Sequence, residues 1–250
     1  ILGQGALARS DGAGVFAQAL ALAQKTGMIS DDWNGFNVLH TAAGRVGGMD
    51  VGFLPGEGGQ DRNGIIEGCK SGDISTVILY GADEIDRDEL GGAFVIYIGS
   101  HGDRGAHGAD VILPAAAYTE KQAIFVNTEG RAQMSERAAF PPGDAREDWK
   151  IFRALSDHLG ATLEFDTVNA LRKVMFEVAP HLARFDELVP AGVPEKPVAD
   201  VTELDAAAFA PALTDYYFTN PIARASATMA ACDEAKRERA KAIGGTGTDG

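Results

Sequence analysis

Cysteine is scarce in this chain: Cys69 and Cys232 are the only two in 250 residues, and no CxxC pair exists. That excludes zinc-ribbon and iron–sulfur ligand spacing within the segment. Two thiols so far apart read as buried or inert rather than bridged. Basic charge is also in short supply, with 22 Lys and Arg against 36 Asp and Glu, a net charge of −14. Nucleic acid calls for basic faces, and so does anionic lipid, so neither is an expected partner. No apolar run approaches the ~20 residues needed to cross a bilayer. There is no GxSxG, no HExxH and no Cys/His pair in register. The chain opens on Ile1 in an apolar, Gly-rich run, without Met or a signal peptide. It reads as a cytosol-facing fragment whose upstream part lies outside it.

What is present is apolar strands ending in Gly/Asp/Ser loops. Thr76–Tyr80 runs into Gly81-Ala82-Asp83, Ala93–Ile98 into Gly99-Ser100-His101-Gly102-Asp103, and Val111–Leu113 stops at Pro114. Continuous apolar strands of this kind predict a parallel sheet covered by helices on both faces. A strand end at 1–7, a strand at 36–40 and a further extended run at 123–126 join them. Ser10-Asp11 predicts a capped helix over 12–25 with Val15, Ala19, Leu22 and Ala23 on its buried face and Gly27 ending it. Residues 44–61, dense in glycine, predict loop, and 65–71 a helical turn or two. Asp144 with Glu147 three residues on has capping-box spacing, predicting a helix that buries Ile151, Phe152, Leu155 and Leu159 and closes at Gly160. Asp166 opens another, with Val168, Leu171, Val174, Met175 and Val178 inward and Pro180 as terminator.

Composition shifts near Asp186. Pro190, Pro194, Pro197 and Pro211 predict an extended arm over 186–219, which gains burial only against another surface. Asn220-Pro221 starts a terminal helix over 220–243, and 244–250 reads as a disordered tail.

Candidate chemistry is thin. Gly3-x-Gly5-x-x-Ala8 fits part of a dinucleotide fingerprint, yet the next strand ends in His40-Thr41 where a carboxylate belongs. Gly68-Cys69-Lys70-Ser71 fails the P-loop spacing. His101, Asp103, His107 and Asp110 share one Gly-rich loop and could hold a metal, or simply bond their own backbone. His40, His158 and His181 stand alone. Trp149 beside Lys150 reads as helix packing. Glu120, Lys121, Glu129 and Arg131 form the nearest carboxylate-plus-cation group, equally readable as a salt-bridge network or an acid/base site.

Residues 109–133, ADVILPAAAYTEKQAIFVNTEGRAQ, are the most distinctive stretch. They resemble the molybdopterin oxidoreductase superfamily, whose members read ADV-(V/I)-LP-(A/G)-A, then E-K and N-T-E-G-R here. ILGQGALARSDGAG (1–14), GSHGDRGAHGADVILP (99–114), AREDWKIFRALSDHLG (145–160) and DYYFTNPIARASATMAAC (215–232) resemble a narrower group within it. That group is the large iron–sulfur subunit of proton-translocating NADH:quinone oxidoreductase, respiratory complex I, of alphaproteobacterial or mitochondrial type.

The resemblance implies an α/β fold: a Rossmann-like parallel sheet with flanking helices over 1–185, then the arm and terminal helix. It implies a structural role within an assembly that passes electrons from NADH to quinone and pumps protons. The family's 2Fe–2S and 4Fe–4S clusters belong to an N-terminal part not contained in this segment. Two departures tell against molybdenum here: helices and arm follow the NTEGR region in place of a further β-rich domain, and Gln122-Ala123-Ile124 stands where cofactor-binding relatives tend to show Gly. Expected partners are other peripheral-arm subunits, at the cytoplasmic or matrix face of the inner membrane. No residue of the segment is expected to be catalytic, to bind a cofactor or to hold a metal. Asn127 and Glu129 are then expected to bond backbone in a retained turn, with Arg131 paired to a carboxylate. The rival readings are an active molybdopterin enzyme of formate dehydrogenase type and a free-standing nucleotide-binding module.

Overall fold

A computed structural model describes residues 1–30, 33–102, 104–188, 204–210 and 215–242. Most of the predicted arm and all of the predicted tail lie outside the described residues. The chain divides into two compact units, each assembled from separate segments: 1–54, 122–137 and 163–212 in one, and 55–121, 138–162 and 213–250 in the other.

In the first unit, β1 (Leu2–Gly3) pairs in parallel with β2 (Val38–Leu39). Between them lie α1 (Gln4–Leu7) and α2 (Gly12–Lys25). The bounds of α2 are as predicted, and Gly27 closes it in the left-handed region at φ 71°. Its buried face is as predicted at Ala23 but not at Leu22. Gly14, Ala17, Leu20 and Ala23 face inward at three-residue spacing, while Leu22 is exposed. Gly12 is the glycine this turn requires: a Cβ there would sit 2.1 Å from the Leu7 carbonyl oxygen.

The predicted loop 44–61 contains a helix, α3 (Arg45–Asp50). Glycine disfavours helix, but Val46 and Val51 pack on a core of Val126, Ala132, Ala179 and Leu182, and that burial outweighs propensity. The second half of this unit is an antiparallel hairpin, β6 (Ala123–Val126) with β7 (Ala132–Ser135). The β7 strand was not expected. Helix α7 (Val168–Val178) starts one residue past the predicted position, capped by Thr167, whose hydroxyl accepts from the Ala170 amide at 3.1 Å. Met175 and Phe176 pack on the core, while Val174 and Val178, expected inward, are exposed.

The second unit carries the main parallel sheet, in order β3 (Thr76–Tyr80), β4 (Phe94–Gly99), β5 (Val111–Pro114). The register aligns Leu79 with Tyr97 and Tyr97 with Ile112. Helix α4 (Arg62–Ser71) precedes β3; Asp61 caps it by accepting from the Gly64 amide at 2.9 Å. Cys69, Val77, Leu79, Leu90, Ala93, Val95 and Tyr97 form the core between α4 and the sheet. The short helix α5 (Arg104–His107) follows β4.

Helix α6 (Asp148–His158) is capped at Glu147, three residues later than the Asp144 capping box predicted. Arg146 is committed elsewhere: its amide donates to the Pro114 carbonyl at 3.1 Å and its carbonyl accepts from the Ala116 amide at 2.8 Å. An added β-bridge to the end of β5 thus claims the backbone that the helix would have used. Leu159, expected inward, is 71% exposed. The terminal helix is two pieces, α8 (Pro221–Arg224), capped by Asn220, and α9 (Ala227–Ala242).

Fold class is as expected: parallel sheets flanked by helices. The difference is that, among the described residues, the strands form three small sheets, not one continuous sheet, and one face of the main sheet is not covered as predicted, with Ile78, Tyr80 and Phe94 exposed.

Candidate functional site

Open α/β sheets bind ligands at the carboxyl ends of their strands, where loops diverge. In the second unit those ends are Tyr80, Gly99 and Pro114.

After β4, the Gly-rich loop is wrapped around one aromatic ring. Tyr97 is 2% exposed, and its hydroxyl donates to the His101 carbonyl. A Cβ on Gly99 would lie 2.5 Å from the Tyr97 hydroxyl oxygen; on Gly105, 2.9 Å from ring atoms Cδ2 and Cε2. A Cβ on Gly102 would lie 3.2 Å from Tyr97 Cε1. These glycines let backbone approach a side chain of the same unit.

After β3, Gly81 turns the chain at φ 59° and Asp83 becomes fully buried. Its carboxylate is ion-paired with Arg224. After β5, the Glu120 carboxylate accepts from the Ala117 amide at 2.9 Å, closing its own loop. Lys121 reaches across to Asp148 at the start of α6. Tyr80 donates to the same Asp148 oxygen, Oδ2, at 2.8 Å, and its ring meets Phe152 edge-on at 5.1 Å. The Tyr80 ring is half exposed, but its ionisable end rests on buried Asp148. Burial, joined by the Asp148 charge and hydrogen bond, pushes the phenol far above its ordinary value. It therefore stays a donor at neutral pH. The other Asp148 oxygen, Oδ1, is buried with no hydrogen-bond partner.

The carboxylate-plus-cation group is divided. Glu120 and Lys121 belong to the second unit, Glu129 and Arg131 to the first. In the 127–131 turn, Asn127 Oδ1 accepts from the amides of Glu129 at 2.9 Å and Arg131 at 3.0 Å, and Gly130 sits at φ 84°. Arg131 lies 3.9 Å from Glu129 and donates to the Asp186 carbonyl. The turn is therefore a closed hairpin connection. Gly130→Ala is expected to cost about 1 kcal/mol, because a left-handed residue gains a Cβ; urea denaturation reads it. No change would mean that the turn tolerates another conformation.

The other sequence candidates also resolve into local structure. Gln4 Oε1 accepts from the Thr41 amide at 2.9 Å, so the position where a ribose-binding acid belongs is tied to α1. His181 does not stand alone; it lies 3.0 Å from Asp50. Asp110 accepts from the Val95 amide, while Asp103 lies outside the described residues. Among the described residues no group of three His, Cys, Asp or Glu side chains could hold a metal. Cys69 is buried in the core, Cys232 lies on α9, and both are free.

Arg9 is a residue that sequence reasoning missed. Its guanidinium grips Asp11 through Nε at 2.8 Å and Nη2 at 3.2 Å. It also donates to the carbonyls of Asp205 at 3.0 Å and Ala207 at 2.9 Å, and lies 4.6 Å over the Phe209 ring. The Asp205 amide returns a bond to Asp11 at 2.9 Å. Residues 204–210 of the predicted arm are thus bonded to the chain itself, while all seven remain exposed, Phe209 at 65%. The Arg9 hydrogen bond holds Asp11 below the usual carboxylate range. A depressed carboxylate stabilises above its unfolded value, and that stabilisation is lost as pH falls through the folded one. Acidifying from about pH 4 to pH 2 is therefore expected to release 204–210, read as faster exchange of the Asp205 amide. An unchanged amide across that range would refute the clamp.

The donor set fits neither class of cofactor that the resemblance brings in. Two separated thiols cannot ligate an iron–sulfur cluster. The close-approach space that glycines could offer a pterin phosphate is filled by the Tyr97 ring, and the carboxylates of Asp83, past β3, and Asp148, at the start of α6, are engaged by Arg224 and Lys121.

Fold and site together define a parallel α/β protein whose strand-end loops close on their own side chains. The chain belongs to the molybdopterin oxidoreductase family, whose profile matches residues 1–158. A second profile, for the C-terminal region of the G-type subunit of NADH-ubiquinone oxidoreductase, matches 189–232. Among similar proteins, the mitochondrial NADH dehydrogenase (ubiquinone) iron-sulfur protein 1 of Solanum tuberosum is 42% identical over 93% of this chain and 30% of its own length. The mitochondrial 78 kDa subunit of NADH-ubiquinone oxidoreductase is 41% identical in Neurospora crassa, over 84% of this chain and 28% of the relative. In Candida albicans it is 40% identical, over 93% and 32%. The chain thus spans about a third of the length of these relatives.

Proposed function

We propose that this chain is a structural, non-catalytic part of the large iron–sulfur subunit of NADH:quinone oxidoreductase. In that reading the whole assembly passes electrons from NADH to quinone and translocates protons, with cluster chemistry and hydride removal occurring elsewhere. The observation that carries it is the pairing, in one chain, of the molybdopterin oxidoreductase match with the C-terminal NADH-ubiquinone oxidoreductase match. The ring-filled glycine loop supports a body that has lost its cofactor. The partners are other subunits of the peripheral arm. No described helix is long and apolar enough to cross a membrane, which agrees with a peripheral position at the cytoplasmic or matrix face of the inner membrane. Catalytic, cofactor-binding and metal-binding residues are absent from this segment in the proposed reading.

The test is purification of the native protein from membranes. It is expected to co-migrate with NADH dehydrogenase activity on a native gel and to contain molybdenum, tungsten and pterin far below one per chain. Stoichiometric molybdenum or tungsten with pterin would favour a molybdopterin enzyme of formate dehydrogenase type and end this reading.

A further inference from the structure

We propose that residues 215–224 are a built-in ligand for Asp83, and that Asp83 with the loops around it forms a guanidinium-binding site that Arg224 fills in cis. Asp83 lies three residues past the end of β3, in the crevice where a parallel sheet holds ligands. Its side chain is fully buried. A Cβ on Gly105 would come within 3.0 Å of the Asp83 Cβ, so the loops after β3 and β4 close on each other around this carboxylate. A carboxylate in such a place needs a cation with directional donors, and a guanidinium fork supplies them.

The segment that delivers the fork is organised for it. Asp215 Oδ1 accepts from the amides of Tyr217 at 2.9 Å and Phe218 at 3.0 Å, which sets the bend. Asn220 caps α8 by accepting from the Ala223 amide at 2.9 Å, and Pro221 fixes its first residue. Arg224, the last residue of α8, turns Nη1 back to the Phe218 carbonyl at 3.2 Å and sends Nη2 to Asp83. The side chain is therefore braced before it reaches the carboxylate. The sequence distance is 141 residues, so this contact ties the C-terminal segment to the sheet. It also gives the crevice at the strand ends an internal occupant.

Chemical rescue in the full chain tests it. Arg224→Ala is expected to lower the thermal midpoint and to speed amide exchange at 81–84 and 215–224 by at least about tenfold. N-ethylguanidine, added at increasing concentration, is expected to raise the midpoint of Arg224→Ala and to leave the unaltered chain unmoved. Ethylamine, of similar reach but without the fork, is expected to do much less. The double variant Asp83→Asn/Arg224→Ala is expected to lose the response. Should Arg224→Ala not fold, Arg224→Lys serves, read by the same exchange. Unchanged exchange in either single variant, or equal stabilisation by N-ethylguanidine in the double variant, would overturn the assignment.

Discussion

Tyr97→Ala is expected to destabilise the second unit by about 3–5 kcal/mol, the range for deleting a fully buried large aromatic. The cost exceeds that of ordinary core truncation in one respect. The loop after β4 has no side chains of its own at 99, 102 and 105 to collapse into the vacated space, so the cavity cannot refill from above. Tyr97→Phe provides the control. It keeps the ring, loses the bond to the His101 carbonyl, and is expected to cost about 1 kcal/mol. Urea denaturation of the two variants separates these terms. A cost near 1 kcal/mol for both would show that the loop is held by the hydroxyl and not by the ring. A third variant probes the same space from the other side: Gly105→Ala pushes a methyl to 2.9 Å from the ring and is expected to cost about 1–3 kcal/mol by overpacking.

Lys121→Ala is expected to cost on the order of 3 kcal/mol, the lower end for breaking a buried ion pair. The lower end applies because the Lys121 side chain keeps 23% of its exposure, while that of Asp148 keeps 11%. The larger share of the loss comes from what stays behind. Asp148 already has one oxygen without a partner, and removing Lys121 leaves the other held by Tyr80 alone. Lys121→Met/Asp148→Leu is expected to recover most of the stability, since two apolar side chains need no compensation. A double-mutant cycle measures the coupling. A coupling below about 0.5 kcal/mol would place the pair with exposed surface bridges and remove it as the tie between β5 and α6.

Much of this architecture was legible in the residues. The strands 76–80, 94–99 and 111–114 were visible as unbroken apolar runs, but the two covered faces that such runs imply are not both found: Ile78, Tyr80 and Phe94 are 40–47% exposed. The bounds of α2 were legible from Gly12 to Gly27, although Asp11, the expected cap, spends its carboxylate on Arg9 and the Asp205 amide. What escaped were outcomes decided by distant partners. The start of α6 is set by a bridge between Arg146 and the end of β5, which no local pattern announces. Helix α3 forms against its glycines because Val46 and Val51 find a core more than seventy residues downstream. The site divides in the same way. Asn127 and Gly130 declared a turn by residue type alone, whereas Arg9, Asp83, Tyr97 and Asp148 looked like ordinary members of their segments. Their roles lie in pairings across 27 to 198 positions, or in the space left by three glycines.

The ring beneath the loop after β4 also couples two positions that stand eight residues apart. A methyl at 105 fits only if the residue at 97 shrinks, and a smaller residue at 97 leaves a void that glycine cannot fill. Substitutions at 97 and 105 are therefore expected to compensate one another, each tolerated better in the company of the other than alone.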